Sequence, residues 1–501
     1  MRHSVAHNIL IYFINNGIVR VLNIITIPIY TAFLTPSDFG LIALNAIVTS
    51  FGGIIANLGL DNFANRLEIK YFNKPEILGK SLFWIFLVNI LFSCIICLAL
   101  TFIPYQIYRF FYQGNSLPRF YLYLIPIWTV FIQRIIIFYQ HYQINLQQAS
   151  SYAKLNLVMQ LSNFAVLIPG FLIFHFSLPG YMVATFAVQL LFAALIAIFW
   201  MPKIVKIDKK YARYIRVGLR YGLPLHFQGY ISAIQDYLDR FLILKNISIS
   251  SLGLYALSNT VANNYLMLSQ STHYALNPEL YKKLDQKEFS KDTAYFYRIC
   301  LFYFMVIALI GFAFSVISKE VIVILADKKF HEAYKIIPLI IAGYLFQDMN
   351  TVYNTTRVFI KNKTRFMAVV SYIAVLVKSI FLFILIPLLG IWGAAVAFVI
   401  FHLCNFVLYR WYADRTLPLE SPALISCGII VLYGLLYAVI EYAMPLGGNL
   451  SVYLSKAVGL TAATVLTIVT LKKIDVVLFQ KIVAPIKGSI VQFLPLASKW
   501  R

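Results

Sequence analysis

The chain has 501 residues, of which 61% are hydrophobic and only 12% charged, and its 42 Lys and Arg outweigh 19 Asp and Glu to give a formal net charge of +23. Soluble globular proteins run near 25% charged, and a soluble chain this long divides into domains with polar surfaces, so the composition excludes a soluble enzyme. It also leaves no aqueous domain to carry the basic face that nucleic-acid binding requires, and apolar runs that are continuous rather than alternating argue against a β-barrel.

A membrane-spanning helix needs about 20 apolar residues, and stretches of that kind recur from one end of the sequence to the other. Residues 1–10 hold Arg2, His3, His7 and Asn8 with no small-residue cleavage site after a short apolar core, so the first segment is expected to be kept as helix one. Spans are predicted over 9–34, 38–60, 81–103, 119–140, 153–176, 180–201, 221–244, 251–276, 298–318, 335–356, 366–388, 390–410, 421–441 and 452–471. The fold class is therefore an all-α polytopic membrane protein with about 14 transmembrane helices. Cys94, Cys97, Cys300, Cys404 and Cys427 all fall in apolar segments, and Cys94-x-x-Cys97 lies in mid-helix, where packing is the default role.

With the N-terminus placed in the cytoplasm, about 30 of the 42 Lys and Arg fall on cytoplasmic segments and about 7 on the opposite side. This positive-inside asymmetry accounts for most of the net charge and puts both termini in the cytoplasm. Between the sixth and seventh spans the basic residues Lys203, Lys206, Lys209, Lys210, Arg213, Arg216 and Arg220 recur at helical spacing, opposite Ile204, Ile207, Tyr211, Tyr214 and Ile215. Two readings stay open for this segment: a surface helix on anionic lipid headgroups, or a solvated basic linker.

Two short similarities divide the chain. Gly40-Leu41-Ile42-Ala43-Leu44 resembles Gly253-Leu254-Tyr255-Ala256-Leu257, 213 residues on, and Gly180, Ala184 and Ala187 match Gly390, Ala394 and Ala397, 210 residues on. Both begin an even-numbered span, so the unit is six helices and the two copies enter the membrane in the same orientation, related by an axis along the membrane normal. The organisation expected is an N-lobe of helices 1–6 over 1–201, a basic amphipathic cytoplasmic linker over 202–220, a C-lobe of helices 7–12 over 221–412, and helices 13–14 with a basic tail over 413–501. Transporters built in this way hold their substrate between the halves.

Arg20, Arg134, Asp236, Asp239, Arg240, Asp348, Lys378 and Glu441 lie inside predicted spans, and Asp61, Arg66, Arg298 and Arg357 lie at span ends. A charge at a helix centre costs roughly 2.5–3.5 kcal/mol on insertion scales, so these side chains are expected to face an interior or one another. Each has a structural reading beside the functional one. Asp236 and Arg240 are spaced to pair along one helix, Asp239 needs a partner elsewhere, and Arg66, Arg298 and Arg357 can snorkel to the cytoplasmic face. Arg20, Arg134 and Lys378 are harder to place as mere structure. A net basic interior suits an anion, and a diphosphate suits arginine, which offers bidentate charge-assisted hydrogen bonds. No G-x-x-x-x-G-K-[ST] loop for ATP occurs, and His141, His175, His226, His273 and His402 lack metal-ligand spacing.

Four stretches resemble the polysaccharide and O-antigen repeat-unit flippases (Wzx-type) of the multidrug/oligosaccharidyl-lipid/polysaccharide (MOP) exporter superfamily. One runs from Arg20 past Pro28 and Tyr30 to Leu34-Thr35-Pro36-Ser37-Asp38-Phe39-Gly40, then Leu58-Gly59-Leu60-Asp61 and Arg66. The second is Gly222-Leu223-Pro224 with Asp239-Arg240 and Leu252-Gly253-Leu254-Tyr255, and the third is Asn277-Pro278-Glu279-Leu280-Tyr281. The fourth runs from Asn362-Lys363-Thr364 to Ile386-Pro387-Leu388-Leu389-Gly390-Ile391-Trp392-Gly393-Ala394-Ala395.

The resemblance implies two six-helix lobes around a cationic cavity, and an ion-gradient-coupled flipping of undecaprenyl-diphosphate-linked oligosaccharide across the bacterial inner membrane for O-antigen, capsule or exopolysaccharide assembly. No chemical catalysis, cofactor or metal is expected. The implied partners are the lipid-linked oligosaccharide, membrane lipids, and a polysaccharide polymerase with its chain-length proteins. Substrate-binding candidates are Arg20, Arg66, Arg134, Arg240 and Lys378; ion-coupling candidates are Asp61, Asp236, Asp239 and Asp348. Competing readings are a lipid II flippase or a multidrug antiporter on the same fold and, more distantly, a membrane polysaccharide polymerase, which would carry a large outer loop that the predicted spans leave no room for.

Overall fold

A computed structural model describes residues 5–71, 74–102, 120–204, 206–285, 293–355, 364–416, 419–443 and 449–474, and these residues contain helices and connecting turns but no strand. In order, α1 is Val5–Phe33, α2 Pro36–Asn57, α3 Leu60–Lys70, α4 Pro75–Thr101, α5 Phe120–Asn145, α6 Ala149–Leu172, α7 Leu178–Leu195 and α8 Arg213–Asn246. Then come α9 Ile249–Asp285, α10 Thr293–Val316, α11 Ser318–Leu325, α12 Ile337–Asn350, α13 Thr364–Leu389, α14 Ile391–Thr416, α15 Ala423–Ala438 and α16 Asn449–Ile474. Each of the predicted spans coincides with one of the longer helices, and α3 and α11 are short additions. Nine segments among the described residues are long and apolar enough to cross a membrane by length and composition alone. Arg357, Lys361 and Lys363, Asn362 of the fourth motif stretch, and the basic tail from 475 on lie outside the described residues.

The family-like motifs are explained by what they do to the backbone. Thr35 caps α2: its Oγ1 accepts from Asp38 N at 3.2 Å, and the Asp38 carboxylate accepts from Thr35 N at 2.8 Å. With Pro36 at the first helical position this is a reciprocal capping box. At the far end, Leu58 and Gly59 both take left-handed conformations, at φ 53° and 72°, which stops α2 and restarts the chain as α3. Gly390, at φ 62°, makes the tight corner between α13 and α14, its N–H donating to Ile386 O at 2.9 Å.

The helices gather into two compact units. The first comprises 1–257, 322–333 and 382–394. Within it α1 packs on α6, α2 on α5, α4 on α5, α5 on α7, and α8 on α2 and α3. Leu60, Phe63, Leu67, Ile85, Phe138 and Phe192 form a core beneath α3, while Leu161, Leu190, Leu191 and Ile198 remain exposed, as helices facing lipid require. The second unit comprises the described residues within 258–321, 334–381 and 395–474, with α10 packed on α12, α15 and α16.

The basic segment after α7 is not one helix. It runs through a π turn (Ile196–Trp200), a last turn (Met201–Ile204) and a single 3-10 turn (Lys209–Ala212) before α8 begins at Arg213. The break has a cause: Lys206 N donates to Gly79 O at 3.2 Å, Trp84 Nε1 donates to Asp208 O at 2.8 Å, and Lys80 meets the Asp208 carboxylate at 3.5 Å. The start of α4 thus holds residues 206–208 out of the helical path.

Candidate functional site

In the first unit the break at Leu58-Gly59 aims Asp61 into the bundle from the first turn of α3. Its two carboxylate oxygens are divided between helices: Oδ1 accepts from Asn89 Nδ2 of α4 at 2.9 Å, and Oδ2 from Arg134 Nη1 of α5 at 3.1 Å. The Arg134 side chain is 10% exposed and that of Asp61 14%. An ion pair so placed is insulated from water, which strengthens the attraction and makes the loss of either partner expensive. Arg134 Nε is buried without a hydrogen-bond partner among the described residues.

Asp239 of α8 is buried and accepts from the Tyr255 hydroxyl of α9 at 2.8 Å and from Arg240 N at 2.8 Å. The partner it required is thus a tyrosine of the repeated Gly253-Leu254-Tyr255 motif. Arg240 is half-buried, its guanidinium carbon 5.2 Å from the centroid of the Tyr237 ring, whose hydroxyl meets Ser50 Oγ at 2.7 Å. Arg66 is exposed and lies 5.0 Å over the Tyr221 ring. Arg20 is half-buried on α1, and Asp236 is exposed on α8.

In the second unit Asp348 of α12 is 5% exposed and accepts from Ser269 Oγ at 2.5 Å and Tyr265 Oη at 2.8 Å, both on α9. The buried hydroxyl of Tyr303 on α10 has no hydrogen-bond partner among the described residues. Directly after Asp348, α12 widens into a π turn at Thr351–Thr355, a distortion often found at functional sites. Lys378 of α13 is 3% exposed and lies 5.9 Å and 5.7 Å from the ring centroids of Phe398 and Phe401 on α14. Glu441 is accounted for: Lys456 reaches it at 3.6 Å and Glu320 at 2.7 Å, and Lys319 also reaches Glu441 at 3.7 Å.

The structure brings together Asp61 with Arg134, and separately places Arg240 beside Asp239. It gives Asp348 a hydroxyl cage that no sequence pattern announced. Tyr255 stood in a motif that did not disclose its role, and Tyr265 and Ser269 carried no signal, because hydroxyl residues are common in this chain and their partner lies on another helix. Cys94 and Cys97 are free thiols, and Cys97 Sγ donates to Ile127 O at 3.3 Å.

A bundle of long apolar helices with ionisable groups turned inward defines a multi-pass membrane protein. Solved structures share its fold. A lipid II flippase MurJ in an inward closed conformation superposes with a TM-score of 0.70 at 15% identity, over 93% of this chain and 99% of that one. An inward-facing multidrug resistance MATE family transporter of the MOP superfamily superposes with a TM-score of 0.55 at 15% identity, over 79% and 94%. An outward-facing MATE transporter gives 0.53 at 10% identity, over 84% and 94%. The family model described as "Polysaccharide biosynthesis protein" matches residues 5–281. The chain belongs to that polysaccharide biosynthesis family and shares the fold of these solved structures. No curated protein matches it at a comparable level of significance.

Proposed function

We propose that this protein is a flippase that carries undecaprenyl-diphosphate-linked oligosaccharide repeat units across the bacterial inner membrane for surface polysaccharide assembly (O-antigen, capsule or exopolysaccharide), driven by an ion gradient. One observation carries the reading: a polysaccharide biosynthesis family match on a chain with a transporter fold. Lipid-linked sugar is the form in which polysaccharide building blocks can be moved by a membrane bundle without chemistry.

In this reading Arg20, Arg66, Arg240 and Lys378 are the cations offered to the diphosphate, with Arg134 reaching it when its pairing with Asp61 is exchanged. Asp61, Asp236, Asp239 and Asp348 are the acids offered to the coupling ion. The transport halves follow the sequence repeat, 1–201 and 221–412, with 202–220 joining them and 413–501 appended. The distribution of Lys and Arg supports cytoplasmic termini. A polysaccharide polymerase and its chain-length proteins are the partners that would consume the flipped product.

The test is deletion in the native host. Lipid-linked repeat units should accumulate on the cytoplasmic leaflet and surface polysaccharide should vanish, with restoration by the wild-type gene and not by Arg20→Ala combined with Lys378→Ala. Normal surface polysaccharide in the deletion strain would refute the reading. A lipid II flippase is the second reading, favoured by the extent of the MurJ superposition. It predicts instead that loss of the protein halts cell-wall synthesis and leaves the polysaccharide pool untouched.

A further inference from the structure

Within the first unit, α2, α5 and α7 line a cavity of about 270 Å³. Pockets for drug-sized ligands run from about 300 to 1,000 Å³, so this one suits a single small ring. Its polar lining includes Asn45, Thr49, Thr129, Gln133, Thr185 and Gln189, with the hydroxyls of Ser50 and Tyr181, and no charged side chain lines it among the described residues. These residues lie near the middle of their helices, at the depth where transporter substrates are held.

The hydrogen-bond inventory of the lining selects the guest. The hydroxyls of Thr49, Thr129 and Thr185 donate to backbone carbonyls of their own helices, at 2.9, 2.7 and 2.9 Å. Their protons are used, and their lone pairs remain as acceptors. Gln133 Nε2 reaches Gln189 Oε1 at 3.4 Å, longer than a good N–H···O bond, so both amides keep capacity to donate and accept. Such a wall carries no cation to balance the charge of a phosphate. It offers no carboxylate for an organic cation, and it is too polar for a lipid tail. A polyol supplies both O–H donors and acceptors and matches it. One step away, Ser50 of the lining meets Tyr237, on whose ring Arg240 stacks, so a cation stands beside the neutral pocket.

We propose that this cavity is a sugar subsite: it seats one uncharged, hydroxylated ring of the transported guest, by hydrogen bonds to Gln133, Gln189 and the threonine oxygens. The proposal rests on the flippase reading for its source of sugar, but its test is separable. The full-length protein is purified into nanodiscs and offered two probes by equilibrium dialysis: undecaprenyl diphosphate alone, and the water-soluble oligosaccharide released by mild acid from the host's lipid-linked pool.

Wild type is expected to bind both. Gln133→Leu combined with Gln189→Leu should weaken oligosaccharide binding about tenfold or more, since each removed amide leaves a sugar hydroxyl unpaired, and should leave undecaprenyl diphosphate binding unchanged. Ala46→Phe, which adds bulk at a lining position and leaves every polar lining residue unsubstituted, should do the same and serves if the double variant fails to fold. Oligosaccharide binding that survives in a folded variant, or that is absent in wild type, overturns the proposal. If wild type binds the oligosaccharide but not undecaprenyl diphosphate, the sugar subsite stands and the flippase reading falls.

Discussion

Arg134 Nη1 lies 3.1 Å from Asp61 Oδ2, joining α5 to the first turn of α3 across a water-poor interior. Arg134, one of the cations hardest to place as mere structure, is therefore paired with Asp61 in the state described. Removing one partner of such a pair leaves a buried charge alone, at a typical cost of about 3–5 kcal/mol, whereas removing both is far milder. Asp61→Asn and Arg134→Gln are each expected to lower thermal stability in detergent strongly, and the double variant to recover most of the loss. Additive losses in the double-mutant cycle would show that the pair does not act as a unit.

Glu68 gives the fold a pH dependence. It lies on α3 beyond the second span, 1% exposed, and burial pushes its carboxyl up from 4.5 to about 7; a hydrogen bond from Asn145 opposes the shift and nearby Asp61 adds to it. A raised carboxyl binds its proton more tightly in the folded state. Its contribution is fully present below pH 4.5 and is lost as pH rises through about 7. That interval corresponds to on the order of 3 kcal/mol. Melting temperature should fall between pH 4.5 and about 7 in the wild type, and Glu68→Gln should flatten that slope. An unchanged slope would assign the dependence to other groups.

Under the proposed ion-coupled mechanism, Asp348 is the candidate acid held by hydroxyls, those of Tyr265 and Ser269, rather than by a cation. Asn at this position keeps the shape and one acceptor oxygen, so one of the two hydroxyls must turn to accept from the new amide, and the carboxylate charge is lost. In proteoliposomes, Asp348→Asn is expected to reduce gradient-driven transport to the level without a gradient, with little change in melting temperature. Full response to both proton and sodium gradients in the variant would remove Asp348 from the coupling path.

The repeated glycines make the next prediction. A Cβ on Gly253 would lie 1.8 Å from Pro36 O, and one on Gly40 would lie 2.0 Å from Ile249 O. Both obstacles are backbone, so no side chain can rotate away. Gly253→Ala should force the start of α9 away from α2 and destabilise the protein by several kcal/mol, seen as a large drop in detergent melting temperature. Gly428→Ala, where a Cβ meets nothing within 4 Å, is the control and should be neutral or slightly stabilising.

The helices were legible in the sequence because bilayer thickness fixes their length and lipid fixes their composition. The motifs were legible because they punctuate the backbone: Thr35 to Asp38 forms a cap, Leu58-Gly59 a break, and Gly40 and Gly253 a reciprocal close approach. The pairing of inward charges was not legible, because it depends on which helices adjoin. Asp61 finds Arg134 from 73 residues away, and Asp348 finds Ser269 from 79. The helical spacing of the basic segment after α7 left a surface helix and a linker both open, and the contacts of Gly79 and Trp84 that hold residues 206–208 out of a helix were not legible in it. The neutral cavity gave no signal at all, for threonine and glutamine are ordinary helix residues until three helices turn them toward one space.

The most direct measurement is translocation by the purified full-length protein in proteoliposomes loaded with the host's undecaprenyl-diphosphate-linked oligosaccharide, scored by accessibility of the sugar to an added glycosidase or lectin. A lipid flippase should move the labelled sugar from the protected to the accessible leaflet when an ion gradient is imposed, and Arg20→Ala combined with Lys378→Ala should slow this at least tenfold. A sugar that stays protected at the rate of protein-free vesicles, with the protein folded and the gradient intact, would contradict the assignment.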